Sequence, residues 1–272
     1  MKTLRIPFTI LCVLAISALS THAAQLATAK VIEVTGTVTK YSASGDQTQL
    51  KAGDILVQGD AVSATALSSV KLVFSNGSEL TVEENTSLNL AKLEQDSFSG
   101  SQTYEQLQAD PSKSQTLLEL NYGELNGHVK KLSPGSSFKV ETPLGTAAIR
   151  GTFFSIKLFY NAERGEFLLI VKNIDALVDI ISRYIGEFEY GSGSIGDKGY
   201  DSGISDDNSE PIPQKHTIVI RLGRGDPFFD DLFNLLQNYI PTDPGPGWIP
   251  LPIPEITPDD PGVIIVSPED QA

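Results

Sequence analysis

Residues 140–156, V-E-T-P-L-G-T-A-A-I-R-G-T-F-F-S-I, leave the chain little choice of local structure. Two apolar, β-prone runs flank a Pro-Leu-Gly turn and an Arg-Gly-Thr step. Pro143 has no N–H to give a ladder, so it belongs at a strand start or edge. Gly145 follows where a type II turn tolerates a positive φ. Residues 147–149 rise into a strand, Gly151 allows a bulge or close backbone approach, and residues 152–156 continue as strand. Arg150 interrupts this run, and an unpaired buried charge is costly. The first reading is an internal clamp, its planar guanidinium holding carbonyls or a carboxylate such as Glu141. On that reading Arg150→Ala destabilises the fold. The second reading offers the guanidinium to an anionic ligand; the mid-strand position between small residues favours the clamp.

The sequence before this stretch has the same character. Residues 30–40 are rich in β-branched side chains, which argues for strand. Gly53-Asp54 and Gly59-Asp60 punctuate short apolar runs as tight corners do. Residues 69–75 alternate, Asn76-Gly77 is a strong hairpin signal, and residues 78–82 form the return strand. Residues 86–93 extend the sheet. Residues 94–114 are polar and read as an exposed loop. Strand character returns at 116–121, with Gly123 and Gly127 bracketing a short step and Ser133-Pro134-Gly135 marking a turn. The predicted fold class is all-β: a sandwich or roll of many short, mainly antiparallel strands.

The first 23 residues read as a secretory signal peptide. Lys2 and Arg5 precede an apolar run too short to span a bilayer, and Thr21-His22-Ala23 offers small residues at the cleavage positions. The single cysteine, Cys12, lies in that run, so the mature chain has no disulfide and no thiolate chemistry. A disulfide-free exported protein of this size points to a bacterial periplasm or cell surface. All 34 acidic residues lie beyond the leader against 18 remaining bases, an excess of 16 negative charges. Such a surface repels phosphate backbones, which argues against nucleic acid as a partner.

The segments G-T-V, L-K-A-G-D-I-L, G-D-A-V-S-A-T and S-S-V-K-L-V-F-S-N-G-S-E-L-T-V lead in order to S-S-F-K-V-E-T-P-L-G-T-A-A-I-R-G-T-F-F-S-I. Together they resemble the FecR family of bacterial extracytoplasmic domains over roughly residues 31–171. The signature residues are Thr142, Pro143, Gly145, Ala148, Arg150, Gly151 and Thr152, read as structural. The resemblance implies an all-β periplasmic domain that senses or relays a signal by contacting other proteins. The family prototype also has a cytoplasmic sigma-regulating segment and a transmembrane helix. Here the expectation is an exported FecR-like domain lacking both, not membrane-spanning once its leader is removed.

The resulting domain reading is a signal peptide at 1–23, a FecR-like β domain at 24–190, an acidic flexible loop at 191–214, a strand plus helix at 215–240 packed on the β domain, and a Pro-rich tail at 241–272. Residues 174–190 fit either a helical face or strands, with β-branched content favouring strands. Asp226 and Pro227 are read as N-cap and first residue of a helix with Asp230 and Asp231 in its first turn. Its apolar face is read as Phe228, Phe229, Leu232, Leu235, Leu236 and Tyr239, packed on the domain or offered to a partner. The tail reads as a surface-draped, polyproline-type segment; the alternatives are docking into an aromatic groove or addition of residues 263–266 to a sheet edge.

No catalytic, metal or cofactor constellation emerges. His128 and His216 are isolated and read as surface or hydrogen-bonded histidines. There is no G-x-S-x-G and no P-loop. Asp197, Asp201, Asp206, Asp207 and Asn208 offer calcium-type oxygens without EF-hand spacing, so a solvated loop is preferred. The functional expectation is a non-enzymatic domain that binds an envelope or secreted protein, in signal relay or assembly. A polysaccharide-binding module is the alternative, by fold analogy alone, and a secreted hydrolase comes last.

Overall fold

The computed structural model describes residues 25–99, 102–174, 177–181, 210–212, 216–225, 228–239 and 263–266. The leader, most of the acidic loop and most of the Pro-rich tail lie outside these residues, as do Asp226 and Pro227. The first nine strands are β1 (Gln25–Leu26), β2 (Thr28–Thr35), β3 (Val38–Tyr41), β4 (Gln47–Gln49), β5 (Ile55–Val57), β6 (Ala61–Ala64), β7 (Ser69–Phe74), β8 (Glu79–Val82) and β9 (Thr86–Gln95). A 3-10 turn at Tyr104–Gln106 precedes β10 (Ser114–His128). Then come β11 (Ser137–Thr142), β12 (Gly145–Arg150), β13 (Phe153–Asn161), β14 (Glu166–Asn173), β15 (Leu177–Ile181), β16 (Glu210–Ile212) and β17 (His216–Gly223). One short helix, α1 (Phe229–Leu236), and β18 (Val263–Val266) complete the described elements.

The ladders define two arms that share β10. One arm runs β4-β3-β6-β9-β10-β11-β12-β15-β16, with β1 beside β6 on β9. The other runs β5-β2-β7-β8-β10-β13-β14-β17-β18. Only β10–β11 and β17–β18 are parallel among the described pairs. Among the described pairs these ladders close no circuit, and the strands form a sheet curled over itself.

The sharing of β10 depends on one glycine. Ser114 to Tyr122 pair with β9, and Gly123 to His128 pair with β13. Gly123 has φ +104°, and a Cβ there would come within 2.5 Å of the Thr86 Cα. Only glycine tolerates both the backbone angle and the approach. The sequence suggested separate strands divided at Gly123 and Gly127; instead one strand bends and continues. Residues 30–40 behave differently, dividing at Gly36 between β2 in one arm and β3 in the other.

Strand alternation sends one side chain in two to the core between the arms. Phe138 of β11 meets Phe74 of β7 edge-on at 5.7 Å and Phe154 of β13 at 6.3 Å, which ties the arms together. The segment before β10, expected as an exposed loop, is partly internal. Leu107 is buried, and so is Asp110. The Ser114 and Ser136 hydroxyls donate to Asp110 Oδ2 at 2.8 and 2.7 Å, and Ser133 Oγ donates to its carbonyl. Polar residues here turn inward onto each other, which hydropathy alone does not reveal. Outside this knot, Lys30 donates to Glu105 at 2.8 Å and holds that carboxyl down to about 2.

α1 packs on the core beside β13 and β14. Phe229, Leu232 and Leu236 are buried, and Phe233 packs beside them. The Phe229 ring lies 5.6 Å from Phe167, and Phe233 lies 5.4 Å from Tyr160. The helix is shorter than the sequence reading, and its buried face is different. Phe228, Leu235 and Tyr239, assigned to the packed face, are exposed. The core lies on one side of a two-turn helix, so only the 229–232–233–236 stripe reaches it. Residues 177–181 form a strand and residues 182–190 lie outside the described residues.

Candidate functional site

The signature residues divide between the two ends of β12. At its start, Thr142 pairs with Gly145 across a two-residue turn made of Pro143 and Leu144. Thr142 is buried, and its Oγ1 accepts the N–H groups of Leu144 and Gly145 at 3.2 and 3.1 Å while donating to the Gly145 carbonyl at 2.9 Å. Pro143 occupies a turn position that asks nothing of its missing N–H. Leu144 is fully buried and belongs to the main core. The expected positive φ at Gly145 is absent among the positive-φ glycines; Gly145 simply begins β12. Ala148 is buried between Lys139 on β11 and Asp179 on β15.

The far end of β12 faces water. Arg150 is its last residue and is exposed, so the buried clamp to Glu141 expected from the sequence is not formed. The apolar run ends there, and the strand presents the guanidinium instead of enclosing it. Gly151 takes φ +64° to turn the chain into β13. Thr152 is buried, and its carbonyl accepts the Val129 N–H at 2.9 Å.

Phe153 and Phe154 follow. Adjacent residues of a strand point to opposite faces, so one phenylalanine of the pair has to leave the core. Phe154 goes in and Phe153 goes out, 47% exposed. The His128 ring stacks on Phe153 with centroids 3.9 Å apart and planes 10° from parallel. Around this pair lies a shallow depression of about 240 Å³, flanked by Lys71, Glu79, Asn126 and the exposed Ile174. The Phe-Phe doublet was the available sequence signal for Phe153; the other members come from strands far apart in sequence and gave none.

Charge in the depression is nearly balanced. Glu79 receives Lys71 at 2.9 Å and Lys130 at 3.4 Å. The hydrogen bond from Lys71 holds the Glu79 carboxyl below the usual carboxylate range, against the opposing effect of burial. Burial and the neighbouring Lys130 lower the His128 pKa, and Glu79 opposes them. Lys130 Nζ lies 3.3 Å from His128 Nδ1, an arrangement suited to a neutral ring accepting from the ammonium. A stacked neutral imidazole, an exposed phenyl ring and an exposed isoleucine make an apolar floor, and the lysines form a polar rim. That combination suits a side chain of another protein better than bond-breaking chemistry.

Among the described residues no three His, Cys, Asp or Glu side chains gather as metal ligands, and no helix is long and apolar enough to cross a membrane. The candidate calcium-binding aspartates and the side chain of His216 lie outside what is described. Exposed aromatic rings are dispersed: Tyr41 on β3, Phe153 on β13, and Phe228 and Tyr239 beside α1. Among the described residues, these four exposed rings make no shared flat face of the kind a polysaccharide would stack on.

Comparison with curated proteins gave no match. Two crystal structures of a candidate anti-sigma factor from Parabacteroides distasonis ATCC 8503 resemble part of the chain, at 12% and 13% identity and a TM-score of 0.37 each. Each alignment covers 59% of this chain and 54% of the other, so the chain spans about half the length of those proteins. Residues 60–171 match the family model described as FecR protein. That span ends where the sequence resemblance ended and begins 29 residues later than residue 31. It holds β6 through most of β14 and all seven signature residues; over residues 60–171 this chain carries a FecR domain.

Proposed function

We propose that this chain is a regulatory, signal-relay module that is exported to the bacterial envelope and works by binding a protein partner. The observation that carries this reading is the FecR domain at residues 60–171. The surface assigned to the partner is the depression around Phe153, His128 and Ile174, where apolar side chains are exposed beside Lys71 and Glu79. The apolar floor supplies contact area, and the polar rim supplies orientation. Residues 1–23 are assigned the export step, by their basic start, short apolar run and small-residue cleavage positions.

A photo-crosslinking amino acid at position 153, in the native host, tests the assignment. The expected result is one dominant adduct with an envelope protein, while the same probe at exposed Tyr41 gives none. Equal labelling at both positions, or no adduct at 153, overturns the assigned surface. Recovery of the protein from the cytoplasm with residues 1–23 intact overturns export.

A further inference from the structure

The corner between β6 and β7 places a leucine where the backbone suits glycine. Thr65 to Ser68 make a four-residue turn, closed by the Ser68 N–H donating to the Thr65 carbonyl at 3.2 Å. Leu67 is its third residue and has φ +57°. A positive φ at that position calls for glycine or asparagine, because an L side chain crowds its own backbone there. Two adjoining corners follow the rule, with Gly36 at +67° and Asn85 at +53°. The Leu67 side chain gains no core contact in return. It is 84% exposed, the most exposed large apolar residue among those described. A lone exposed leucine is ordinary. One held in water at a backbone cost is not, and such strain collects where a surface has a task.

The turn is fixed from several sides. The Leu67 N–H donates to Glu84 Oε2 at 2.6 Å. Ser68 is buried, and its Oγ accepts the Thr37 N–H at 2.8 Å and lies 3.0 Å from Thr65 Oγ1. The Thr65 carbonyl also accepts the Asn85 N–H at 3.3 Å. A partner would therefore meet a leucine whose backbone is already ordered, which lowers the entropy lost on binding. Beside it lies a shallow depression of about 230 Å³, lined by Leu67, Ser68, Ser69, Glu83 and Glu84. Among the described ion pairs neither of these carboxylates has a cation. Lys71, further along β7, is taken by Glu79 at 2.9 Å. The patch joins one apolar anchor to two uncompensated negative charges. It shares no lining residue with the depression at Phe153, so it stands apart from that assignment.

We propose that Leu67 is a docking anchor for another protein, seated in an apolar pocket of that partner whose rim carries lysine or arginine facing Glu83 and Glu84. The leucine supplies burial at the centre of the contact, and the carboxylates supply orientation and reject wrong partners. The same charges disfavour an anionic lipid surface. They also disfavour a second copy of this chain on the same patch, which would bring four carboxylates together.

A photo-crosslinking amino acid at Ser69, beside the anchor, tests this in the full chain in its native host. The expected result is an adduct with a different protein. Its yield falls at least ~10-fold in Leu67→Gly, which removes the anchor, and in Glu83→Lys, which reverses the charge. Purified Leu67→Gly is expected to unfold at the same or a higher urea concentration than the parent, because glycine relieves the turn. That opposition, lost binding with stability kept, is what a merely structural leucine would not show. Absence of an adduct overturns the proposal, as does an adduct undiminished by either variant. So does an adduct with lipid or with a second copy of the chain, or a lower urea midpoint for Leu67→Gly.

Discussion

The two ends of β12, Gly145 and Arg150, are five positions apart and are built for opposite surroundings. At Thr142–Gly145 the turn folds inward, with Leu144 in the core and the Thr142 hydroxyl saturating the corner. At 150–153 the chain turns outward, with Arg150 in water, Gly151 at positive φ and Phe153 half exposed on His128. A contiguous motif can thus divide its work: one half sets the β11–β12 register, and the other shapes a surface. The signature residues all looked structural in sequence because the run is so apolar; the fold separates them.

Substitutions at the two ends should diverge, and the largest effect belongs to the inward one. Leu144→Ala leaves a cavity in the main core and should cost about 2–5 kcal/mol in urea unfolding. Thr142→Val keeps the shape but removes the acceptor of two backbone N–H groups, and should cost about 1–3 kcal/mol. Gly151→Ala places a side chain at φ +64°, an angle that costs L-residues roughly 1–2 kcal/mol. Arg150→Ala should change stability by no more than about 0.5 kcal/mol, as exposed substitutions usually do. A loss comparable to that of Leu144→Ala would restore the clamp reading and break the comparison.

The smallest effect is expected from pH. His128 has a folded-state pKa below its unfolded value, so the folded form binds its proton less readily. Its contribution is present above the unfolded pKa of about 6.5 and is lost as pH falls through the lowered folded value. His128→Gln should flatten the dependence of unfolding free energy on pH across that window. An unchanged slope would show that the ring is not held neutral by its site.

Local chemistry made much of the fold legible. The strand–turn rhythm gave the all-β class, and Asn76-Gly77 marked the hairpin that joins β7 and β8. The long bent β10 was hidden, because Gly123 reads as a break in any single-strand pattern and its role appears only against Thr86, 37 residues earlier. The helix face was misjudged for a related reason: periodicity lists every apolar residue, but Tyr160 and Phe167 decide which of them are covered. The depression was the least visible feature. Lys71, Glu79, His128 and Ile174 are brought together by β7, β8, β10 and the end of β14, and no sequence spacing records that meeting. Of the readings of the tail, addition of residues 263–266 to a sheet edge is the one the described residues bear out, since they pair in parallel with β17.

The central claim is that the inward end of β12 holds the fold while the outward end meets a partner. Leu144→Ala and Phe153→Ser, compared by urea unfolding and by cross-linking from position 126, test it most directly. The claim predicts that Leu144→Ala loses about 2–5 kcal/mol, whereas Phe153→Ser loses less than about 1 kcal/mol yet abolishes the envelope-protein adduct. Equal destabilisation by the two, or an adduct that survives Phe153→Ser undiminished, would contradict it.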